Sequence, residues 1–470
     1  MSKVKYSTYK SSKTLWQKQI PSHWQETELR MLFSDNKNKN IGLIERNLLS
    51  LSYGKLKRKD IDNATGLVPA SFEGYQIIDK DYIVLRFTDL QNDKKSLRVG
   101  YVNEKGIITN AYVGIVPKAD VYSKYFYYQL HFLDKIKYFY NLGGGVRQSL
   151  AYKEFGREMV LIPPKEEQTA IAAFLDFKIT KIDRFIRKKK QLIKLLNEQK
   201  TAIINQAVTK GLDPNPKMKP SGIEWLGDIP EHWDKYKLKY LITKPIAGAW
   251  GAEPKNDSND IICVRVADFK EYEIKKDNLT IRNIEAKPEQ ILKYGDLLLE
   301  KSGGGEKTPV GRVVLFNQDF KAVTSNFVAK FSPIISLVTS EYLLYIFKLI
   351  NSVKWNFKSI KQTTGIQNID TYQYMDNWVY IPSIDEQIKI ISSIKNEFVI
   401  LDETISTIEK EIALVEEYKT SLIAEAVTGK IDVRDFVIPE VEETESFDEI
   451  EDELSIAADG ETEFETEETE

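Results

Sequence analysis

Three polar, glycine-rich stretches hold most of the side chains suited to gripping a partner. They are Asn141-Leu142-Gly143-Gly144-Gly145-Val146-Arg147-Gln148-Ser149, Lys301-Ser302-Gly303-Gly304-Gly305-Glu306-Lys307-Thr308 and Lys361-Gln362-Thr363-Thr364-Gly365-Ile366-Gln367-Asn368. Glycine lets a backbone approach another molecule closely. Arginine, lysine, glutamine and asparagine pair with base edges or hold phosphates. A solvated surface turn has the same composition, so no single stretch is diagnostic. The first and third, however, occupy equivalent places in an internal repeat. The candidate contacts are therefore Gly143, Gly144, Gly145, Arg147, Gln148, Ser149, Lys301, Ser302, Lys307, Thr308, Lys361, Gln362, Thr363, Gln367 and Asn368.

Catalytic constellations are sparse. The chain has three histidines, and His23 and His232 sit in a repeated frame where a structural role is expected. The stretch from Gly303 to Thr308 is not a nucleotide-binding loop, because Glu306 stands where glycine should precede Lys307. Asp268, Glu273 and Lys275 form an Asp…Glu-x-Lys set of the kind used by metal-dependent nucleases, but chance produces that pattern in a chain that is 29% charged. Asp213-Pro214-Asn215-Pro216 lacks the aromatic residue of an amino-methylation motif. The one cysteine, Cys263, excludes an internal disulfide framework and a cysteine-rich zinc site. No cofactor or metal site is expected on this chain.

Charge is divided unevenly. Residues 439–470 hold 16 Asp or Glu and no Lys or Arg; removing them from the net −4 leaves +12 on the remainder. A basic body favours a polyanionic partner. The first residues carry no apolar signal segment, and no apolar run is long enough for a bilayer, so a cytoplasmic protein without a membrane role is expected.

The chain of 470 residues is written twice. Ile20-Pro21-Ser22-His23-Trp24 returns as Ile229-Pro230-Glu231-His232-Trp233, shifted by 209. Ile162-Pro163-Pro164 with Glu167-Gln168 returns as Ile381-Pro382-Ser383 with Glu386-Gln387, shifted by 219. Between these edges, residues 25–161 and 234–380 differ in sequence and by ten residues in length. Short β-rich runs such as Tyr82-Ile83-Val84-Leu85 and Asp296-Leu297-Leu298-Leu299 mark them as mixed sheet with some helix. Ser123, Tyr125 and Tyr128 match Ser340, Tyr342 and Tyr345, so the inserts are one fold with loop insertions.

After each insert comes a heptad seam. Leu175, Ile179, Ile182, Ile186, Lys189, Ile193, Leu196, Lys200, Ile203 and Ala207 alternate four and three apart. Adding 219 gives Ile394, Phe398, Leu401, Ile405, Ile408, Ile412, Val415, Lys419, Leu422 and Ala426. This is coiled-coil spacing. Gly211 and Gly429 are the expected stops. With a whole domain between them, two such helices in one chain pack most simply antiparallel; a dimerisation coiled coil between chains is the alternative. The first helix carries Arg184, Arg187, Lys188, Lys189 and Lys190, and the second Glu409, Glu411, Glu416 and Glu417, which favours pairing of unlike helices.

This frame resembles the specificity subunit of type I restriction-modification systems. The resemblance rests on Ser221-Gly222-Ile223-Glu224-Trp225-Leu226-Gly227 before Ile229-Pro230-Glu231-His232-Trp233, and on Pro163 and Pro382 with their Glu-Gln pairs. Leu85-Arg86-Phe87-Thr88-Asp89-Leu90 through Ser96-Leu97-Arg98 is similar to a stretch of first recognition domains, which adds Arg86 and Arg98 to the DNA contacts. The first frame departs at Ser12-Lys13-Thr14-Leu15-Trp16, and the acidic tail lies outside the pattern. The implied fold is α+β: two mixed α/β target recognition domains separated by two long antiparallel coiled-coil helices, as a pseudo-twofold internal repeat. Its parts are a first recognition domain (1–161), a first long helix (162–210), a linker (211–222), a second recognition domain (223–380), a second long helix (381–430) and an acidic tail expected to be disordered (431–470). The resemblance implies binding of double-stranded DNA at a bipartite, asymmetric site. It implies two methyltransferase subunits and motor-nuclease restriction subunits as partners, with S-adenosylmethionine, ATP and Mg on those partners. This chain would then be non-catalytic, an address reader in phage defence. The rivals are a coiled-coil scaffold presenting two protein-binding domains and a stand-alone nuclease.

Overall fold

A computed structural model describes residues 4–439 except 63–68, 70, 89, 91–96, 119–120, 143–149, 305–308 and 364–365. The chain divides into two compact units. One contains residues 4–190 and 409–439, the other residues 191–408. The division cuts both long helices, Lys165–Lys210 and Ile384–Val427, so each unit owns half of each.

The repeated Ile-Pro-x-His-Trp segment builds the base of each unit. In the first unit Gln19–Pro21 pairs antiparallel with Tyr9–Ser11; in the second Asp228–Pro230 pairs with Met218–Pro220. The expected linker therefore ends early, because its last residues already belong to this hairpin. Ile20 and Ile229 are fully buried. Trp24 comes next in the first core, and its Nε1 donates to Glu167 Oε1 at 3.1 Å, while His23 Nε2 lies 2.8 Å from Glu167 Oε2. The second unit repeats this with Trp233 Nε1 to Glu386 Oε1 at 3.1 Å and His232 Nε2 to Glu386 Oε2 at 2.9 Å. The glutamates stand in the first turn of the long helices, where negative charge complements the helix dipole. The next residue closes the joint: Gln168 Nε2 donates to the Pro163 carbonyl at 2.9 Å, and Gln387 Nε2 to the Pro382 carbonyl at 3.0 Å. The two histidines are thus helix-start clamps.

Each helix ends against the other frame. Gly211 and Gly429 take left-handed φ of +72° and +69°, which glycine alone adopts without strain. A Cβ on Gly429 would lie 2.4 Å from Pro21 and 3.2 Å from the Trp24 ring; one on Gly211 would meet Glu386 at 3.3 Å and Trp233 at 3.5 Å. Within each unit, then, one helix begins and the other ends at the same tryptophan. That geometry makes the helices antiparallel. Leu175, Ile186, Ile394, Phe398, Ile408, Ile412 and Leu422 are buried, and Ile179, Ile182, Ile193, Leu196, Ile203, Leu401, Ile405 and Val415 are half-buried. Lys189 reaches Glu411 across the pair at 2.8 Å. No helix among the described residues is long and apolar enough to cross a membrane.

The inserts share a plan. In the first unit Leu48–Ser52 runs parallel to Gly106–Ile108, within a sheet ordered Lys55–Lys59, Leu48–Ser52, Gly106–Ile108, Gln76–Ile78. A second sheet is ordered Phe33–Asp35, Val113–Pro117, Ile83–Leu85, Val99–Tyr101. In the second unit Asp260–Val264 runs parallel to Ala322–Thr324, and a six-stranded sheet centres on Leu297–Glu300. Leu297, Leu298 and Leu299 are all buried, which explains their uninterrupted apolar run. The helices Ser123–Lys135 and Ser340–Ser352 correspond, and each is followed by a left-handed lysine, Lys137 or Lys354. The repeat thus extends through interiors whose sequences have drifted apart.

The expected start of the tail at 431 is corrected. Ile431 and Val433 are buried, the Asp432 amide donates to the Val4 carbonyl at 2.8 Å, and the Phe436 ring meets that of Phe174 edge-on at 4.9 Å. Alternating apolar residues at 431 and 433 fill the first core, so the chain stays packed as far as Phe436. Residues 440–470 lie outside the described set.

Candidate nucleic-acid interface

In the second unit two of the three polar stretches meet. Ser302–Gly303 pairs antiparallel with Ile366–Ile369, which pairs in turn with Ile360–Thr363. Ser302 stands opposite Asn368, with Ser302 Oγ 2.5 Å from Asn368 Oδ1, and Gly303 stands opposite Gln367. The Ile369 amide donates to the Lys301 carbonyl at 2.8 Å, tying the base of the sheet. Gly303 and Gly304 both have left-handed φ, +122° and +61°, so the chain turns sharply where it leaves this sheet. The backbones of Gln362 and Thr363 lie in the edge strand opposite Gln367 and Ile366.

The side chains of this small sheet divide by exposure. Lys361 is exposed, with Nζ 2.7 Å from Asp370 Oδ2; that contact, together with the Gln373 amide, holds the Asp370 carboxyl below its usual pKa. Asn368 and Ser302 are half-buried, and Ile366 is exposed. Lys301 is half-buried, and burial lowers its ammonium pKa. A cation, an amide and a hydroxyl on one sheet suit phosphate contact and base-edge pairing. Gln367 is corrected: it is 6% exposed, and its Oε1 accepts from the Val310 amide at 3.3 Å, so it braces the sheet from beneath.

In the first unit Arg98 is also corrected. It is fully buried. Its guanidinium donates to the Thr88 carbonyl at 2.7 Å, the Arg86 carbonyl at 3.3 Å and Tyr140 Oη at 3.1 Å. Its amide donates to Asp134 Oδ2 at 2.5 Å. Arg98 therefore positions the backbone around Arg86 and Thr88 and does not face a ligand. Arg86 is half-buried and its amide donates to the Arg98 carbonyl at 2.9 Å. Burial raises the Asp134 carboxyl to about 6, against the pull of the Arg98 amide and Lys137. Gly143, Gly144, Gly145, Arg147, Gln148, Ser149, Lys307 and Thr308 lie outside the described residues.

Aromatic-basic pairs in the second unit went unread in the sequence. Lys235 stands opposite Tyr380 and Lys237 opposite Trp378, with both ammonium groups 5.1 Å from the exposed Trp378 ring. Lys358 Nζ lies 3.4 Å from the Trp355 ring centroid, and Arg282 stacks over the exposed Trp250 at 4.6 Å. The alternation Lys235-Tyr236-Lys237-Leu238-Lys239-Tyr240 was the available signal. The matching strand of the first unit, Gln25–Glu28, is acidic instead.

The nuclease-like set is engaged in structural contacts. Asp268 is fully buried; its Oδ2 accepts the Arg265 amide at 2.8 Å and its Oδ1 lies 2.9 Å from Lys275 Nζ. Glu273 Oε2 accepts from Asn317 at 2.6 Å. Burial first, then Asp268, pushes the Cys263 thiol up to about 11.

Comparison with known proteins agrees with this architecture. The family model described as type I restriction modification DNA specificity domain matches residues 53–195 and 230–417. The type I restriction enzyme EcoBI specificity subunit of Escherichia coli is 22% identical over 379 residues, spanning 78% of this chain and 76% of that protein. A chain solved in work on complex assembly and conformational transition of the type I R-M system superposes with a TM-score of 0.59 at 13% identity, covering 88% of this chain and 99% of that one. The HsdS subunit from Thermoanaerobacter tengcongensis has a TM-score of 0.41, also at 13% identity, over 88% of this chain and 98% of its own. With two matched segments that together span most of its length, on a twice-built frame, this chain belongs to the type I restriction-modification DNA specificity family.

Proposed function

We propose that this chain reads a bipartite, asymmetric duplex sequence, one half with residues 25–161 and the other with 234–380, and carries partner subunits on its long helices. The observation that carries this reading is the small sheet that joins Ser302–Gly303 to Ile366–Ile369 and Ile360–Thr363 and presents Lys361, Asn368 and Ser302 together. Two recognition units on equivalent frames with unlike polar loops suit two unlike half-sites. Two methyltransferase subunits and motor-nuclease subunits are the partners, and S-adenosylmethionine, ATP and Mg act there; the chain itself is non-catalytic. Exposed apolar residues on the second long helix, Val399, Ile400, Leu414 and Tyr418, support a helix surface that partners cover.

The experiment is fluorescence polarisation of labelled duplex DNA against the purified full chain and its partner complex, across a salt series. Affinity falls steeply with salt if the basic body neutralises phosphates. Lys361→Ala lowers the slope by about one if Lys361 meets a phosphate. Salt-insensitive behaviour, or no DNA binding, favours the protein-binding scaffold.

A further inference from the structure

Lysine interrupts the apolar seam of the long helices at positions 189, 200 and 419. Two of these build the same contact twice. In the second unit Lys200 is 4% exposed, with Nζ 2.8 Å from Asp402 Oδ1 and 3.4 Å from Glu271 Oε2, and 4.8 Å from the Phe398 ring centroid. In the first unit Lys419 Nζ lies 2.5 Å from Asp183 Oδ1, both half-buried. Lys200 and Lys419 are 219 apart in sequence, and so are Asp183 and Asp402. The helices exchange roles: lysine comes from the first in one unit and from the second in the other. The surroundings have diverged, with Glu271 and Tyr272 near one pair and Tyr128 and His131 near the other. The Lys189–Glu411 pair has no such twin, because its equivalents are Ile408 and Leu192.

We propose that the Lys200–Asp402 and Lys419–Asp183 pairs are the register locks of the helix pair, and thereby specificity-determining residues for the distance between half-sites. Lys200 is buried while Asp402 is exposed, and Lys419 and Asp183 are half-buried. Such partly exposed pairs add little stability, and the best-attested use of a polar residue in an apolar seam is to specify register. The apolar seam alone tolerates a slip of one heptad, since it repeats every seven residues. The locks do not. A slip in one sense sets Lys200 opposite Lys395, though it brings Lys419 to Asp176. A slip in the other sense brings Lys200 to Glu409 but sets Lys419 opposite Lys190. Each lock forbids the slip that the other permits, so two are required. The link to half-site distance rests on the proposed reading of a bipartite site.

The test uses the full chain in its partner complex, with Lys200→Met and Lys419→Met separately, Lys200→Arg and Lys419→Arg as conservative rescues, and two readouts. Register is read by disulfide trapping from Lys189→Cys to Glu411→Cys, Thr404→Cys or Tyr418→Cys; the natural Cys263 is buried. Site spacing is read by sequencing methylated DNA. With intact locks only the 189–411 pair cross-links. Lys200→Met adds the 189–404 product and Lys419→Met the 189–418 product, seven residues away in opposite senses. Methylated sites then appear whose spacer is changed by about three base pairs, since seven helical residues span ~10 Å and one base pair rises 3.4 Å. The Arg variants keep the parent pattern in both readouts. If both Met variants cross-link only at 189–411, the frames alone hold the register and the locks are refuted. If cross-links shift while the methylated spacing stays, the locks stand and the helix pair is not what measures the site. If even the parent complex marks no bipartite sequence, the proposed function fails while the cross-links still judge the locks.

Discussion

Glu167 is the residue on which the first unit turns. It accepts from the buried Trp24 indole and faces His23 and Tyr6 Oη, which lies in short hydrogen-bond contact with it. Glu386 faces the corresponding Trp233 and the more exposed His232. Removing a buried acceptor leaves its donors unpaired, at about 1–3 kcal/mol per group. Glu167→Ala is therefore expected to cost about 2–4 kcal/mol in urea unfolding, and Glu386→Ala about half of that. Asp134 gives a pH signature. Its folded carboxyl, raised to about 6, keeps its proton in a range where the unfolded side chain has lost it. The unfolded state then binds fewer protons, so stability falls as pH rises from ~4 through ~6. Asp134→Asn can still accept the Arg98 amide and has no charge to bury. Its stability relative to the parent should rise across that window by an amount on the order of 3 kcal/mol, read by urea titrations at pH 4 and pH 7. A flat difference would mean that Asp134 titrates normally.

At the scale of elements, the long helices are continuous runs of 46 and 44 residues without an internal proline or glycine. Each ends at a glycine pinned against the opposite tryptophan, which leaves little slack in length. Adding four residues within 195–205 lengthens the first helix by ~6 Å and rotates the chain beyond the insertion by ~40°. Methylated sites of the complex should then show a spacer longer by one base pair, or DNA binding should be lost. An unchanged spacer with full activity would remove the helices as the measuring element. The β elements carry a different lesson. Ser302–Gly303 lies far in sequence from Ile360–Thr363 and Ile366–Ile369, yet the three strands become one sheet, so a change in any of them alters the same surface.

For the whole molecule, two units on matched frames predict modular recognition. Replacing residues 25–161 by the corresponding insert of a family member should change one half of the methylated sequence and leave the other intact. Replacing 234–380 should do the converse. Change in both halves, or in neither, would show that the units do not read independently. The frame supports this exchange because its contacts, from Trp24 to Glu167 and from Trp233 to Glu386, use residues outside the inserts.

The repeat, the heptad seam and the two glycine stops are properties of spacing along the chain. Periodicity near 3.5 residues places Leu175, Ile186, Ile394 and Ile408 on one helix stripe whatever lies beyond it, so the stripe was legible in the sequence. Inward or outward direction within the inserts was not. Arg98 and Gln367 have the composition of ligand contacts, yet Thr88, Tyr140 and Val310 supply partners that draw them into the interior. The tail boundary failed for the same reason, since Ile431 and Val433 look like the beginning of a polar extension until the first core offers them a place. The seam lysines Lys200 and Lys419 find their partners, Asp402 and Asp183, on the other helix. A polar side chain points wherever its desolvation is best compensated. That compensation comes from residues distant in sequence, so only the folded chain decides it.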